Sequence, residues 1–434
     1  MLASVSAPDA PPDLDATLLG WARACLRPPV GRFRHPWLAP MPASPQVAAW
    51  MRGEAEVTDD RFLVGDYSLG LFHHDVSEMA IALAPRGGEL AEACFGSLLC
   101  FLDCAAPSGC VHRTELPHKA RDPEPAKPVI AQLALRAVEG LGAEGLERAD
   151  AQRVLPRVLA FLAYLERETV GLHGLFLTPS ARASGFDSDL LTAGMPHGSV
   201  AGPDTNTFMV LEYEAAAILA RRLGADAEAA SLEERAGSLR ARVNELLYRE
   251  DEGGGHYVAL RWRHGAAGRD DEVVAYTDAD GARRPFESWI GHLPLYAGIP
   301  SPERGRAVAR RLLDPETFLG PAGVRTVSAR SPFFHQAPRV LLYDPRRGHG
   351  SPVSNWTGPV WVLSSWYCAR GLERYGFTAE AAALDATTRG LLERDLAETG
   401  ALHECYDDAG RGLWPRRGTF VSWNVLAAAP AMER

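Results

Sequence analysis

The sequence lacks any run of about 18 apolar residues, the length a membrane-spanning helix requires, so no membrane partner is expected. It lacks a lysine-rich tract as well. Most of its positive charge is Arg, and 45 Lys+Arg against 55 Asp+Glu leave a net charge of −10. A general nucleic-acid binder presents a basic stripe, so nucleic acid is not an expected partner. The stretch Met1–Asp15 is rich in Ala, Pro and Asp. It has neither the basic start nor the apolar core of a secretory signal; a frayed tail over residues 1–15 and a cytoplasmic location are expected. Seven cysteines are an odd number, and Cys100, Cys104 and Cys110 miss the C-x2-C spacing of zinc modules. They fit reduced, mostly buried thiols. The adjacent His73, His74 and Asp75 have no third ligand at a standard spacing and no H-E-x-x-H around them, so neither a metal nor a cofactor is expected. Also missing are a G-x-G-x-x-G after a strand, a G-x-S-x-G elbow, a P-loop, a βαβ rhythm and any repeat of 33–47 residues. Dinucleotide-binding, α/β-hydrolase, P-loop and solenoid architectures are thereby excluded.

What is present is an ordinary globular composition, 46% apolar and 23% charged over 434 residues, enough for a large core. Length alone gives a soft prior of about three domains. The 41 Gly and 32 Pro are scattered and suit substantial structured loops. Helices stand out by apolar spacings of three and four. Leu155, Leu159, Leu162 and Leu165 mark one within Ala151–Val170; Leu211, Ala215, Ile218 and Leu219 mark another within Thr207–Leu223. Leu232, Ala236, Leu239, Val243 and Leu246 continue the pattern over Ala227–Tyr248. Ser301-Pro302-Glu303 is a cap, a first-turn Pro and an early acid, and Thr378 opens a helix carrying Leu384, Leu391 and Leu392. Pro128–Leu141, Gly358–Tyr375 and Phe420–Met432 are further helices. Strand signals are few: His256–Trp262 and Val273–Tyr276 read as a hairpin, with a turn at Asp280-Gly281. The expectation is an all-α chain of about a dozen helices with small β-hairpin excursions in its loops.

Chemistry concentrates in the loops. Ala183-Ser184-Gly185-Phe186-Asp187-Ser188-Asp189 places a carboxyl beside an aromatic wall. Such packing disfavours the charged form and raises the pKa, as a general acid at neutral pH requires; a plain helix-capping Asp is the simpler alternative. Leu402-His403-Glu404-Cys405-Tyr406-Asp407-Asp408-Ala409-Gly410 puts Glu404 before a turn, with Trp414, Phe420 and Trp423 following. Carboxylates near indole rings suit a sugar, whose apolar faces stack on aromatics while acids handle its hydroxyls; a surface Glu in a turn is the alternative. Ser354-Asn355-Trp356-Thr357-Gly358-Pro359-Val360-Trp361 and Phe286-Glu287-Ser288-Trp289-Ile290-Gly291 supply more aromatic and acidic groups, either as core or as walls of a pocket.

Taken in order, these segments resemble the (α/α)6-barrel glycosidases of the trehalase and glycoside hydrolase family 63 group, from about Phe72 to Ala427. Ser184-Gly185-Phe186-Asp187 is similar to the S-G-(Met/Trp)-D segment that carries the family's catalytic acid. Glu404-Cys405-Tyr406-Asp407 with Gly410 is similar to the E-x-Y-D-x-x-x-G segment that carries its base, followed by an F-S-W-type run at Phe420-Val421-Ser422-Trp423. His292–Gly298 resembles the P-L-x-A-G helix, Pro321–Ser328 the G-(L/V)-x-S-(L/V)-S segment, and Trp356–Trp361 the W-R-G-P-V-W segment. Asp75 stands at the family's W-D pair and Lys127–Ala131 at its P-P-x-x-A helix start. The departures are Ala183 for Glu, Ser188-Asp189-Leu190 for Asn-Ser-Pro, Thr357 for Arg and His74 for Trp.

The resemblance implies one (α/α)6 toroid over residues 16–434, with its loops gathered at one end. It implies inverting hydrolysis of an α-glycosidic bond in a small α-glucoside or α-mannoside, such as a disaccharide, a glycosylglycerate or a short oligosaccharide. Asp187 would be the acid and Glu404 the base, with room for a water between them. Trp37, Trp356, Trp361 and Trp423 would form the sugar platform. Asp75, Glu287 and Arg325 would contact hydroxyls, and Arg325 could meet an acidic aglycone. Two rivals use the same residues. One is a sugar-binding pseudoenzyme without turnover. The other is a sugar epimerase, whose paired bases would have to come from His73, His74 or His335.

Overall fold

The computed structural model describes residues 13–43, 49, 70–117, 124–180, 183–187, 189–192, 195–261, 272–336, 340–344, 349–353, 356–414 and 419–430. Its helices divide into two sets by how they are buried. In His73–Leu83, Pro203–Arg222 and Val362–Arg374 most residues are buried around the whole circumference, eleven of 13 in the last. In Asp226–Leu246 and Thr378–Thr399 only a stripe is buried, six residues of 21 in the first: Ala229, Leu232, Ala236, Leu239, Val243 and Leu246. All-round burial marks an inner helix and a stripe marks one that faces solvent.

The inner set has six members. They are His73–Leu83, Ile130–Leu141, Pro203–Arg222, the 3-10 turn Trp289–His292 running into Leu293–Tyr296, Val362–Arg374, and the 3-10 segment Ser422–Ala428. Each packs on the next, and the last packs on the first, so the ring closes. Outside it lie Leu14–Ala24, Gly88–Asp103, Val154–Thr169, Asp226–Leu246, Pro302–Leu313 and Thr378–Thr399. This is the (α/α)6 arrangement that the resemblance implies. Among the described residues, eight two-stranded antiparallel sheets decorate its loops.

Local chemistry sets the element ends. The Asp13 carboxylate accepts the amides of Asp15 and Ala16 at 3.0 and 3.3 Å, starting the first helix within the stretch expected to fray. The Ser301 hydroxyl accepts the Arg304 amide at 3.3 Å, with Pro302 at the first helical position. Gly400 closes Thr378–Thr399 in the left-handed region.

Three elements differ from the sequence pattern. Ala151–Val170 is not continuous: Arg153 is left-handed (φ 51°), separating Ala143–Ala151 from Val154–Thr169, and Pro156 fits only a first turn. Phe420–Met432 shortens to the 3-10 segment. The strands at His256 and Val273 are not hairpin partners. Gly254–Tyr257 pairs with Tyr248–Asp251, and Ala275–Thr277 pairs with Arg283–Pro285 around the turn at Gly281. Among the described residues a single bridge, Leu260 to Val273, joins the two stretches; Trp262 lies outside the described residues. All seven thiols are free, and six are buried. Among the described residues no helix is long and apolar enough to cross a membrane.

Candidate active site

The first turn of His73–Leu83 and the start of Ser422–Ala428 meet beside Glu404, on which the charges of Asp75 and Asp187 both act. The Ser422 hydroxyl donates to Asp75 at 2.6 Å, tying the sixth inner element to the first. Trp423 and His74, their neighbours, meet edge-on at 5.4 Å.

The turn that carries Asp187 is built by short-range hydrogen bonds. The Ser184 amide donates to the Ser180 carbonyl at 3.1 Å, and the Ala183 amide to the Ser180 hydroxyl at 3.0 Å. The Phe186 amide donates to the Ser184 hydroxyl at 3.0 Å, and the Asp189 amide to the Phe186 carbonyl at 2.9 Å. Gly185 has φ +79°, and a Cβ there would lie 2.3 Å from His74 Nδ1, so both the backbone and the packing demand glycine. Asp189 is fully buried. It accepts the Leu191 amide at 2.9 Å and the Ser288 hydroxyl, and burial pushes its pKa up to about 7. Asp187, half-buried, projects from this braced turn.

Glu404 precedes the strand Cys405–Tyr406, which pairs with Gly412–Trp414 around a turn in which the Gly410 amide meets the Asp407 carbonyl. Arg325, Val360 and Tyr406 follow one another as antiparallel bridges. The segment that carries Glu404 therefore lies directly against the stretch that runs into Trp361. The Tyr406 hydroxyl donates to Asp395 at 2.8 Å, fixing the segment to the outer helix Thr378–Thr399. Glu404 is 3% exposed, and its Oε2 has no hydrogen-bond partner among the described residues. Burial first, then the negative charges of Asp75 and Asp187, hold its pKa well above the usual carboxylate range. Burial also raises Asp75 to about 6, with the Ser422 hydroxyl opposing. Two carboxyls from distant segments thus act on Glu404 electrostatically, and both favour its neutral form.

The tryptophans also converge, but not as an open platform. Trp356 and Trp361 are stacked with centroids 3.8 Å apart, and Trp289 stacks toward Trp356 at 5.9 Å. Phe186 packs edge-on to both Trp289 and Trp356 at 5.0 and 4.8 Å, and Trp423 meets Trp361 at 5.5 Å. Trp289, Trp356 and Trp361 have no exposed surface. Trp356 and Trp361 turn a face to each other, and Trp423 is 5% exposed. Trp37 is elsewhere, fully buried and edge-on to Phe33 at 5.2 Å, and among the described residues it touches none of these rings.

Arg325 and Glu287 are committed to protein partners. Arg325 donates from Nε and Nη2 to Asp408 at 3.0 and 2.9 Å, and from Nη1 to the Pro315 and Thr317 carbonyls at 2.6 and 3.3 Å. Glu287 accepts Arg311 Nη1 at 2.5 Å. Both tie loops together. Of the histidines, His73 and His74 are buried, and burial lowers their pKa well below the usual value; His335 Nε2 lies 3.0 Å from the Thr357 hydroxyl.

Two residues near the acid turn are missing from the sequence-based site. Trp289 had a signal, because it sits in the aromatic and Gly-rich run Phe286–Gly291. Lys127 is marked only as the first residue of the helix-start run Lys127–Ala131, which carries no hint of a contact with this turn.

The family model of the mannosylglycerate hydrolase MGH1-like glycoside hydrolase domain matches residues 111–420. A mannosylglycerate hydrolase of Thermus thermophilus is 33% identical over 142 residues, 32% of this chain and 28% of that protein. One from Rubrobacter radiotolerans is 39% identical over 88 residues, 20% of this chain and 17% of that protein. These aligned stretches span less than a third of either relative. The crystal structure of the family 63 mannosylglycerate hydrolase from Thermus thermophilus in complex with glucose superposes with a TM-score of 0.65 at 19% identity, covering 96% of this chain and 99% of that one. Neutral trehalase from Saccharomyces cerevisiae does so with a TM-score of 0.58 at 14% identity, covering 82% and 70%. At these identities the structural likeness establishes the fold. The family match extends over well more than half of the chain, which therefore belongs to the mannosylglycerate hydrolase MGH1-like glycoside hydrolases of family 63.

Proposed function

We propose that the protein is an inverting glycosidase that hydrolyses the α-glycosidic bond of a small α-glucoside or α-mannoside, a glycosylglycerate foremost. Asp187 protonates the departing oxygen. Glu404 removes a proton from the water that attacks the opposite face of the anomeric carbon. The observation that carries this reading is the meeting of Asp187 and Glu404, more than 200 positions apart, with Asp75 at one end of the ring. The choice of aglycone leans on the relative from Thermus thermophilus, solved with glucose and with Tris and D-glycerate.

Catalysis needs one proton on the pair, on Asp187, with Glu404 ionised. Glu404 without a donor to Oε2 favours its neutral form. A nucleophilic water donating to that oxygen favours the carboxylate, so binding of substrate and water together creates the base.

The test is a panel of trehalose, glucosylglycerate, mannosylglycerate and short α-glucans, with NMR following the first-formed anomer. A β-anomer appearing first, with turnover abolished in Asp187→Asn and Glu404→Gln, is expected. An α-anomer formed first would refute inversion. A second reading, a sugar-binding chain without turnover, is supported by Phe186 packing against Trp289 and Trp356 where a sugar ring would need space. On the same panel it predicts binding with no product.

A further inference from the structure

Lys127 lies in the segment before the inner helix Ile130–Leu141 and is 2% exposed. Its ammonium donates to the Ser184 carbonyl at 2.6 Å and lies 3.8 Å from Asp204 Oδ2. It also sits over the ring of Phe186 at 3.7 Å and that of Phe208 at 4.3 Å. Asp204 and Phe208 are fully buried on the inner helix Pro203–Arg222. One cation thus joins two inner helices to the turn that carries the acid, gripping it at the residues one and three before Asp187. Taking an ammonium and a carboxylate out of water is costly, and an apolar side chain of the same length would fill this space at no such cost. A cation there makes physical sense if it fixes a geometry, here the direction in which residue 187 projects.

We propose that Lys127 is a positioning residue for the general acid: its ammonium, anchored by Asp204, holds the Ser184 carbonyl and the Phe186 ring so that the Asp187 carboxyl faces the leaving-group oxygen. This rests on the hydrolytic reading above. The residue touches neither substrate nor reacting atoms; it acts through the turn.

The test exploits the chemistry that only an acid serves. An alkoxide leaving group needs protonation as it departs, whereas fluoride departs from a glycosyl fluoride without it. General acid catalysis contributes about 10²–10⁴-fold, and a misdirected acid forfeits part of that. Lys127→Met is expected to lower kcat on the alkyl glycoside or glycosylglycerate about 10–100-fold, with KM held within about twofold. On the α-glycosyl fluoride of the same sugar it should stay near wild type. Lys127→Arg, which keeps the cation, should recover much of the loss. Equal losses on both substrates, or no loss, would overturn the proposal. Asp187→Asn is the reference: if it spares the fluoride and Lys127→Met does not, this inference alone falls. If Asp187→Asn itself shows no preference, the acid assignment falls and takes the inference with it. Should Lys127→Met fail to fold, Asp204→Asn, which removes the anchor, must show the same leaving-group dependence at smaller size or the inference fails.

Discussion

Removing Arg325 separates structure from specificity at this site. Its guanidinium pairs with Asp408 in bidentate fashion, and the two side chains are 10% and 29% exposed. Asp408 also accepts Gln336 Nε2 at 3.0 Å and donates its amide to Gln336 Oε1 at 3.0 Å. Breaking a buried pair by removing one partner costs about 3–5 kcal/mol. The partial exposure of Asp408 and the remaining Gln336 bonds reduce this. Two backbone carbonyls, on Pro315 and Thr317, lose their donors, which adds about 1 kcal/mol. Arg325→Ala should therefore destabilise by about 3 kcal/mol. A chain of 434 residues unfolds with an entropy of roughly 0.9 kcal/mol/K, at about 2.1 cal/mol/K per residue, so Tm should fall by about 3 °C. Scanning calorimetry on the single variants and on the Arg325→Ala/Asp408→Asn pair gives the coupling directly. Because Asp408 lies four residues after Glu404, activity should fall alike on neutral and acidic substrates. An unchanged Tm with a loss confined to substrates bearing a carboxylate aglycone would refute the reasoning and restore Arg325 as a substrate contact.

Two further outcomes are expected. The charge on Asp75 raises the Glu404 pKa, so Asp75→Asn should lower it, and the acidic limb of the kcat/KM profile should move to lower pH even as the absolute rate drops; a limb that stays in place or moves up contradicts the action of Asp75 on Glu404. Gly185→Ala meets both a φ of +79° and the His74 ring, and at about 1–3 kcal/mol for the strain alone it should reduce turnover and lower Tm, measurable by activity and calorimetry together.

Outer helices such as Asp226–Leu246 are legible in the sequence because each must bury a stripe and expose the rest, and a stripe leaves a period. The inner ring is legible in part: Ile130–Leu141, Pro203–Arg222 and Val362–Arg374 overlap stretches that read as helices, whereas His73–Leu83 carries no such pattern. His73–Leu83 and Val362–Arg374 are buried on all sides, so polar residues such as Glu78 and Ser364 occur inside them wherever a partner waits, here the Tyr367 hydroxyl and the Val324 carbonyl. Trp289–Tyr296 and Ser422–Ala428 are too short for any period to show. The segments of Asp187 and Glu404 stand out by their motifs, because a tight glycine turn and a carboxyl are local features. What the motifs cannot convey is which partner a side chain takes from far along the chain. Arg325 finds Asp408, 83 positions away, and Trp356 and Trp361 turn toward each other across the bend at Thr357-Gly358; the antiparallel bridges Arg325–Val360–Tyr406 that bring these segments together are a non-local fact. Lys127 is the extreme case: its role exists only once two inner helices and the turn are brought together.

The protonation of Glu404 carries the strongest test of the site as a whole. Glu404 is buried and Asp75 half-buried; Asp75 has the Ser422 hydroxyl to support its charge, while Glu404 Oε2 has no donor among the described residues and faces two negative neighbours. Burial and those charges favour the neutral form of Glu404 in the free enzyme. A water held by bound substrate and donating to Oε2 stabilises the ionised form by about 1.5–3 kcal/mol, as hydrogen bonds to charged groups do, or roughly one to two pH units at 1.36 kcal/mol each. The acidic limb of kcat/KM reports the free enzyme and that of kcat the complex. The limb of kcat should then lie about one to two units below that of kcat/KM, and activity should be lost as pH falls through each. Coincident limbs would mean that substrate binding supplies Glu404 with no donor, and a base that stays neutral in the complex cannot activate water; the assignment of Glu404 would then fail even with turnover intact.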